Sequence, residues 1–154
     1  MNLVDELHAV AAALTAAGIR YAVCGGVAVT AHGAPRMTKD IDILIARSDL
    51  AHVLELVRPL GYAFPALPMV FDEGTPRERH VQRVSKVVGK EHLLLDLLIT
   101  EAAFAGALDD RIEIVMAEGT IAFVSRATLL HLKRLAGRNQ DLADIENLEA
   151  SDGE

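Results

Sequence analysis

The sequence predicts an α+β fold, and three observations carry that prediction. Apolar residues recur at helical spacing at the start of the chain, short β-type runs with glycine turns fill its middle, and two amphipathic helical segments close it. With 154 residues and 51% hydrophobic content, the chain can bury one core and is too short for two independent enzymatic domains. A single domain over residues 1–150 is expected, followed by a frayed tail at 151–154.

Leu3, Leu7, Val10, Leu14 and Ala17 share one helical face and Gly18 stops the run, so the first segment reads as an amphipathic helix. Tyr21 to Cys24 is a β-type run that meets Gly25-Gly26, after which Val27 to His32 forms a short apolar helix closed by Gly33. The stretch from Ala34 to Lys39 reads as a loop and Asp40 to Ala46 as an isoleucine-rich strand. Ser48 is a good N-cap for a helix with Leu50, Val53, Leu54 and Val57 on one face, ending near Pro59–Gly61. Prolines, glycines and the lack of periodicity make Tyr62 to Pro76 a long irregular loop. His80 to Val88 and Glu91 to Thr100 form a hairpin through Gly89-Lys90, and Ile112 to Met116 pairs with Thr120 to Val124 through Glu118-Gly119. Two helices follow, Ser125 to Ala136 and Asn139 to Leu148, with Gly137 capping the first. No internal repeat or low-complexity tract is present.

A formal net charge of -7 argues against a general nucleic-acid binder, because phosphate backbones are held mostly by clustered Lys and Arg. The charge is uneven, however. Arg77, Arg79, Arg83, Lys86 and Lys90 stand against a single Glu78, which reads either as a basic strip facing an anionic substrate or as the solvated face of a hairpin. The lone Cys24 lies in an apolar and glycine run and reads as a small core side chain. Asp5 and Glu6 stand where a secretory signal would carry Lys or Arg, and no apolar run is long enough to cross a bilayer. A soluble, cytoplasmic protein with no membrane partner is therefore expected.

Side chains alternate along a strand, so Asp40 and Asp42 share one face while Ile41, Ile43 and Ile45 point to the other. Two such carboxylates raise each other's pKa unless a cation neutralises them, and magnesium, a hard ion that takes oxygen ligands, suits them. An Asp-x-Asp pair alone also fits a polar strand end or a pair of helix caps. Asp96 adds to it, since it interrupts the apolar run Leu93-Leu94-Leu95 and Leu97-Leu98-Ile99. A charge in such surroundings needs a partner, either the metal ions of Asp40 and Asp42 in a neighbouring strand or an arginine such as Arg83. Gly25-Gly26 before a helix fits a phosphate cradle, and equally a common turn. Lys133, flanked by Leu129, Leu132 and Ala136, should point inward. Asp141 falls on the buried side of the last helix with Asp144 at its edge, so Lys133 either pairs with Asp141 or reaches an anionic ligand.

Gly25-Gly26, the spacer ending in Arg36-Met37-Thr38-Lys39, Asp40-Ile41-Asp42 and the later Asp96 resemble the nucleotidyltransferase superfamily typified by DNA polymerase beta. The string from Gly25 to Ala28 and on through His32 to Asp42 is most similar to the AbiEii-type and related minimal nucleotidyltransferases of bacteria, often found in toxin–antitoxin systems. The resemblance covers residues 21–46, Asp96 and Leu129 to Leu148. Gly26 departs from it, standing where many members carry a serine. It implies a mixed sheet with helices packed mainly on one side and a C-terminal helical pair. It also implies a nucleoside triphosphate bound by Gly25, Gly26, Arg36, Thr38, Lys39 and Lys133, and two magnesium ions, with manganese as a substitute, on Asp40, Asp42 and Asp96. Asp96 would complete the second metal site or serve as base. The implied reaction transfers a nucleoside monophosphate to an RNA or protein hydroxyl, with a cognate toxin or antitoxin as a further partner. An antibiotic-modifying adenylyltransferase and a non-catalytic antitoxin-like module are the alternatives.

Overall fold

In the computed structural model, which describes residues 1–35 and 37–152, helix α1 spans Leu3–Ala16. The Asn2 side chain caps it by accepting from the backbone N–H groups of Val4 and Asp5 at 2.9 and 3.2 Å. Leu7, Val10, Ala11 and Leu14 form its buried stripe. Strand β1 (Tyr21–Cys24) is buried along its whole length, and α2 (Gly25–Ala31) begins directly after it. Strand β2 (Asp40–Ile45) and helix α3 (Leu50–Val57) follow. Ser48 is not the N-cap of α3. Arg47–Asp49 forms a single 3-10 turn that runs into the helix, and Asp49 at the cap position makes no side-chain cap bond.

The segment expected to be an irregular loop contains two short strands, β3 (Tyr62–Pro65) and β4 (Met69–Phe71). Both lie antiparallel to β5 (Arg79–Val88), one after the other along the same edge. Most of their side chains are exposed, and Pro65 is tolerated because an edge strand need not donate on its outer side. That edge placement removes the apolar alternation by which a strand is recognised. The hairpin of β5 with β6 (Glu91–Ile99) turns at Gly89-Lys90 as expected, and β7 (Ile112–Met116) pairs antiparallel with β8 (Gly119–Phe123).

Ser125 caps α4 (Arg126–Ala136) by accepting from the Thr128 N–H at 3.0 Å, and Gly137 ends it in the left-handed conformation. Helix α5 spans Asn139–Asp152, so it continues through residues 151 and 152, where fraying was expected. Residues 153 and 154 lie outside the described residues.

The sheet is mixed, with strand order β3-β5-β6-β2-β1-β8-β7 and β4 also on β5. Strand β2 is central, antiparallel to β1 and parallel to β6. Its Ile41, Ile43, Leu44 and Ile45 are fully buried. Helix α1 packs on α3 and β8, α2 on β1, β2 and α4, and α4 on α5. Arg126 closes the last pair by donating from Nη2 to the Leu148 carbonyl at 2.8 Å. Among the described residues, five α-helices and a mixed eight-stranded sheet make the α+β fold expected from the sequence.

Candidate active site

Strand pairing places Cys24, Asp42, Asp96 and Arg83 in one row across β1, β2, β6 and β5. Directly opposed side chains on neighbouring strands point to the same face, and so does Asp40, two residues before Asp42. The carboxylates of Asp40, Asp42 and Asp96 therefore share a face with the Arg83 guanidinium, while Ile41 and Ile43 fill the other.

Gly25 lies against this row with φ of +65°. A Cβ built on it would meet Asp42 Cγ at 2.7 Å, so only glycine lets the start of α2 sit this close to the carboxylate. Gly25, Gly26, Thr38, Lys39, Asp40, Asp42, Asp96 and Lys133 all wall one cleft of about 510 Å³. Arg36 lies outside the described residues. Every other residue assigned to the site from the sequence borders this cleft. A second cleft of about 470 Å³ shares Asp42, Arg83 and Asp96 with the first and opens toward Met69 and Phe71 of β4.

Burial, then the charges of Asp96 and Asp40, push the Asp42 carboxyl up to about 7; Lys133 and Arg138 act in the opposite sense. Cys24 is buried beside Asp42, and desolvation with that charge holds its thiol well above the ordinary range, as fits a core side chain. Asp96 is engaged by Arg83, which donates from Nε to Oδ1 at 2.8 Å and from Nη2 to Oδ2 at 3.0 Å. Asp96 thus stands beside Asp42 in the sheet and also has the arginine partner that the sequence left open. Among the described residues, no group of three or more His, Cys, Asp or Glu side chains is gathered closely enough to hold a metal ion. The carboxylates of Asp40 and Asp42 are oxygen donors of the kind a hard divalent cation takes, on a shared face where their repulsion needs a counter-charge. They fit such an ion, whereas each Asp96 oxygen already accepts one bond from Arg83.

Lys133 Nζ sits 3.2 Å from Asp141 Oδ1 and 3.0 Å from Asp144 Oδ2, so the pairing with Asp141 is present and Asp144 joins it. Asp144 was expected at the edge of the buried side of its helix and is instead fully buried. Arg138 adds a second cation, donating from Nε to Asp141 Oδ2 at 2.7 Å and from its backbone N–H at 3.1 Å. Burial acts against the Asp141 charge, but these bonds and charges overcome it and hold the carboxyl below its ordinary range.

The basic strip resolves into separate roles. Arg77 caps the end of α4 through the Arg134 and Leu135 carbonyls, Arg79 pairs with Asp72 at 2.8 Å, and Lys86 donates to Glu6 at 2.7 Å. Arg79 and Arg83 border both clefts, as does Arg138, which sequence reasoning did not place in the site. Arg138 lies just past the α4 cap, and its spacing of three from Asp141 is the signal that would have found it.

No family model and no curated protein matches the chain. Solved structures do. A candidate nucleotidyltransferase of Thermotoga maritima overlays with a TM-score of 0.65 at 11% identity, covering 96% of this chain and 92% of that one. The antibiotic-resistance factor ANT(2'')-Ia overlays with a TM-score of 0.59 at 16% identity in solution, covering 96% of this chain and 83% of that one. In complex with adenylyl-2''-tobramycin it overlays with a TM-score of 0.58 at 17% identity, covering 96% and 88%. Together with the mixed sheet that brings Asp42 beside Asp96, these likenesses show that the chain has the nucleotidyltransferase fold.

Proposed function

We propose that the protein is a magnesium-dependent nucleotidyltransferase that moves a nucleoside monophosphate from a nucleoside triphosphate to a hydroxyl of an RNA or protein acceptor. The observation that carries this reading is the placing of Asp40, Asp42 and Asp96 on one sheet face, against the Gly25-Gly26 start of α2 and inside a cleft. Asp40 and Asp42 would hold the divalent cation, magnesium or manganese in its place. Held by Asp40 and Asp42, the cation would neutralise charge on the triphosphate and would favour the ionised form of the attacking oxygen. Gly25, Gly26, Thr38 and Lys39 border the cleft in which the phosphates would lie. The acceptor oxygen bonds to the α-phosphorus as the bond to the pyrophosphate oxygen breaks. Its proton passes to a carboxylate, and Asp96, which borders both clefts, is the candidate base. A cytoplasmic site of action fits a triphosphate donor. The likeness of residues 21–46 to AbiEii-type proteins supports a cognate toxin or antitoxin as partner.

The adenylyl-2''-tobramycin held by ANT(2'')-Ia raises a second reading, transfer to an aminoglycoside. The second cleft favours a different acceptor. Arg79, Arg83 and Arg138 border it beside Met69, Phe71 and Phe104, and Arg79 lies over the Phe71 ring at 5.5 Å. Asp42 and Asp96 border it as well, and each arginine is paired with an aspartate, so its charge is mixed. Its apolar side chains are what favour an acceptor with a planar group over one carrying several ammonium groups.

Incubating the protein with each α-labelled nucleoside triphosphate and fractionated RNA, protein and small molecules from a lysate tests these readings. Label should enter one macromolecular fraction only with magnesium or manganese, and Asp40→Ala or Asp42→Ala should abolish transfer with the fold intact. Wild-type turnover in either variant would refute the site. Transfer to none of the fractions would favour a non-catalytic module, and label in an aminoglycoside would favour the second reading.

A further inference from the structure

Each Asp96 oxygen already accepts one bond from Arg83 and keeps a single further lone-pair direction for a second ion. Arg83 grips them side-on at 2.8 and 3.0 Å, from the residue directly opposite in the β5–β6 hairpin. The hairpin register keeps the guanidinium beside the carboxylate, so a cation from solution competes with a tethered partner that never loses its charge. A second divalent ion on Asp96 would also have to sit against that guanidinium, since Arg83 would stay in the same row of the sheet. The Arg83 side chain is 36% exposed and borders both clefts, and its use of Nε and Nη2 for Asp96 leaves Nη1 for another acceptor.

We propose that Arg83 stands in place of a second metal ion. The centre then takes one divalent cation, on Asp40 and Asp42, while the Asp96–Arg83 pair stays intact and Arg83 turns its remaining N–H donors to the anionic groups of the triphosphate. This rests on the nucleotidyl-transfer reading and specifies where its positive charge comes from. Asp96 orients Arg83, and its own carboxylate remains available as a proton acceptor.

Manganese binding to the full chain, followed by electron paramagnetic resonance at pH 8, separates the cases. The wild type should saturate at one ion per chain. Asp96→Asn, checked for folding by its melting curve, should keep that ion with a Kd within about threefold. Asp40→Asn and Asp42→Asn should lose it. Two ions in the wild type, falling to one in Asp96→Asn, would overturn the proposal and leave the nucleotidyl-transfer reading standing. No ion in the wild type, or an ion retained by Asp42→Asn, would overturn both. Arg83→Lys keeps the charge and loses the fork, so it should still bind one ion but bind α,β-methylene ATP about tenfold more weakly. Wild-type affinity for that analogue would overturn the role assigned to Arg83.

Discussion

Asp42 sits where its charge is least welcome: buried, next to Asp96 in the sheet and two residues from Asp40. Its folded-state pKa of about 7 lies above its ordinary 3.8, so the folded state holds the proton more tightly than the unfolded chain. That contribution to stability is fully present below about pH 4 and is lost as pH rises through 7, with a size on the order of 4 kcal/mol. Without metal, the protein should therefore melt at a lower temperature at pH 8 than at pH 5.5, and Asp42→Asn should flatten the difference. Melting curves of both proteins check this, and equal slopes would show that the strain lies elsewhere. At this scale much was legible in the sequence. Alternation put Asp40 and Asp42 on one face, and the cost of a charge among leucines set Asp96 beside them. The requirement for glycine at position 25 was not, because the close approach of Asp42 is a tertiary fact that no local pattern encodes.

Helices α4 and α5 are joined by a buried charge cluster as much as by apolar contact. Lys133 touches both Asp141 and Asp144, and Arg138 holds Asp141 from the other side. Lys133→Met preserves the apolar stem and removes the cation shared by two buried carboxylates, leaving Asp141 its Arg138 bonds and Asp144 its Gln140 bond, with an expected cost of about 3 kcal/mol. Replacing Asp141 with Leu as well should recover only part of this, since Asp144 and Arg138 keep losing partners. Replacing Asp144 with Leu in addition should recover most of it. Denaturant unfolding of the single, double and triple variants tests the order, and a single variant within about 1 kcal/mol of wild type would show that the cluster contributes little. A helical wheel was enough to turn Lys133 and Asp141 inward, but it set Asp144 at the edge because it counts neighbours on one helix and not those of the helix opposite. Strands β3 and β4 escaped for a related reason. Their pairing with β5 is made by backbone groups, and exposed side chains leave no trace of it.

Across the whole molecule, the strands with tight turns were readable: Gly89-Lys90 marks its own hairpin, and the second turns at Ala117-Glu118, one residue before the expected Glu118-Gly119, because Gly119 already pairs with Met116. The order of strands was less so, because parallel neighbours are joined by no turn; only the chemistry of Asp96 pointed to β2. That parallel pairing also has a history in time. The β5–β6 hairpin closes through local contacts, whereas joining β2 to β6 must close a long loop, and contacts of that kind form late. In the metal-free chain this late step also pushes Asp42 against Asp96. Refolding followed by stopped flow should therefore be slower at pH 8 than at pH 5.5, by about tenfold if 1.4 kcal/mol of the repulsion is felt at the barrier. Asp42→Asn should remove the difference, and an unchanged pH dependence in that variant would place the barrier elsewhere. The carboxylate face then assembles after the hairpins that flank it, so a chain halted between the two stages would carry its hairpins without the row of Asp42 and Asp96.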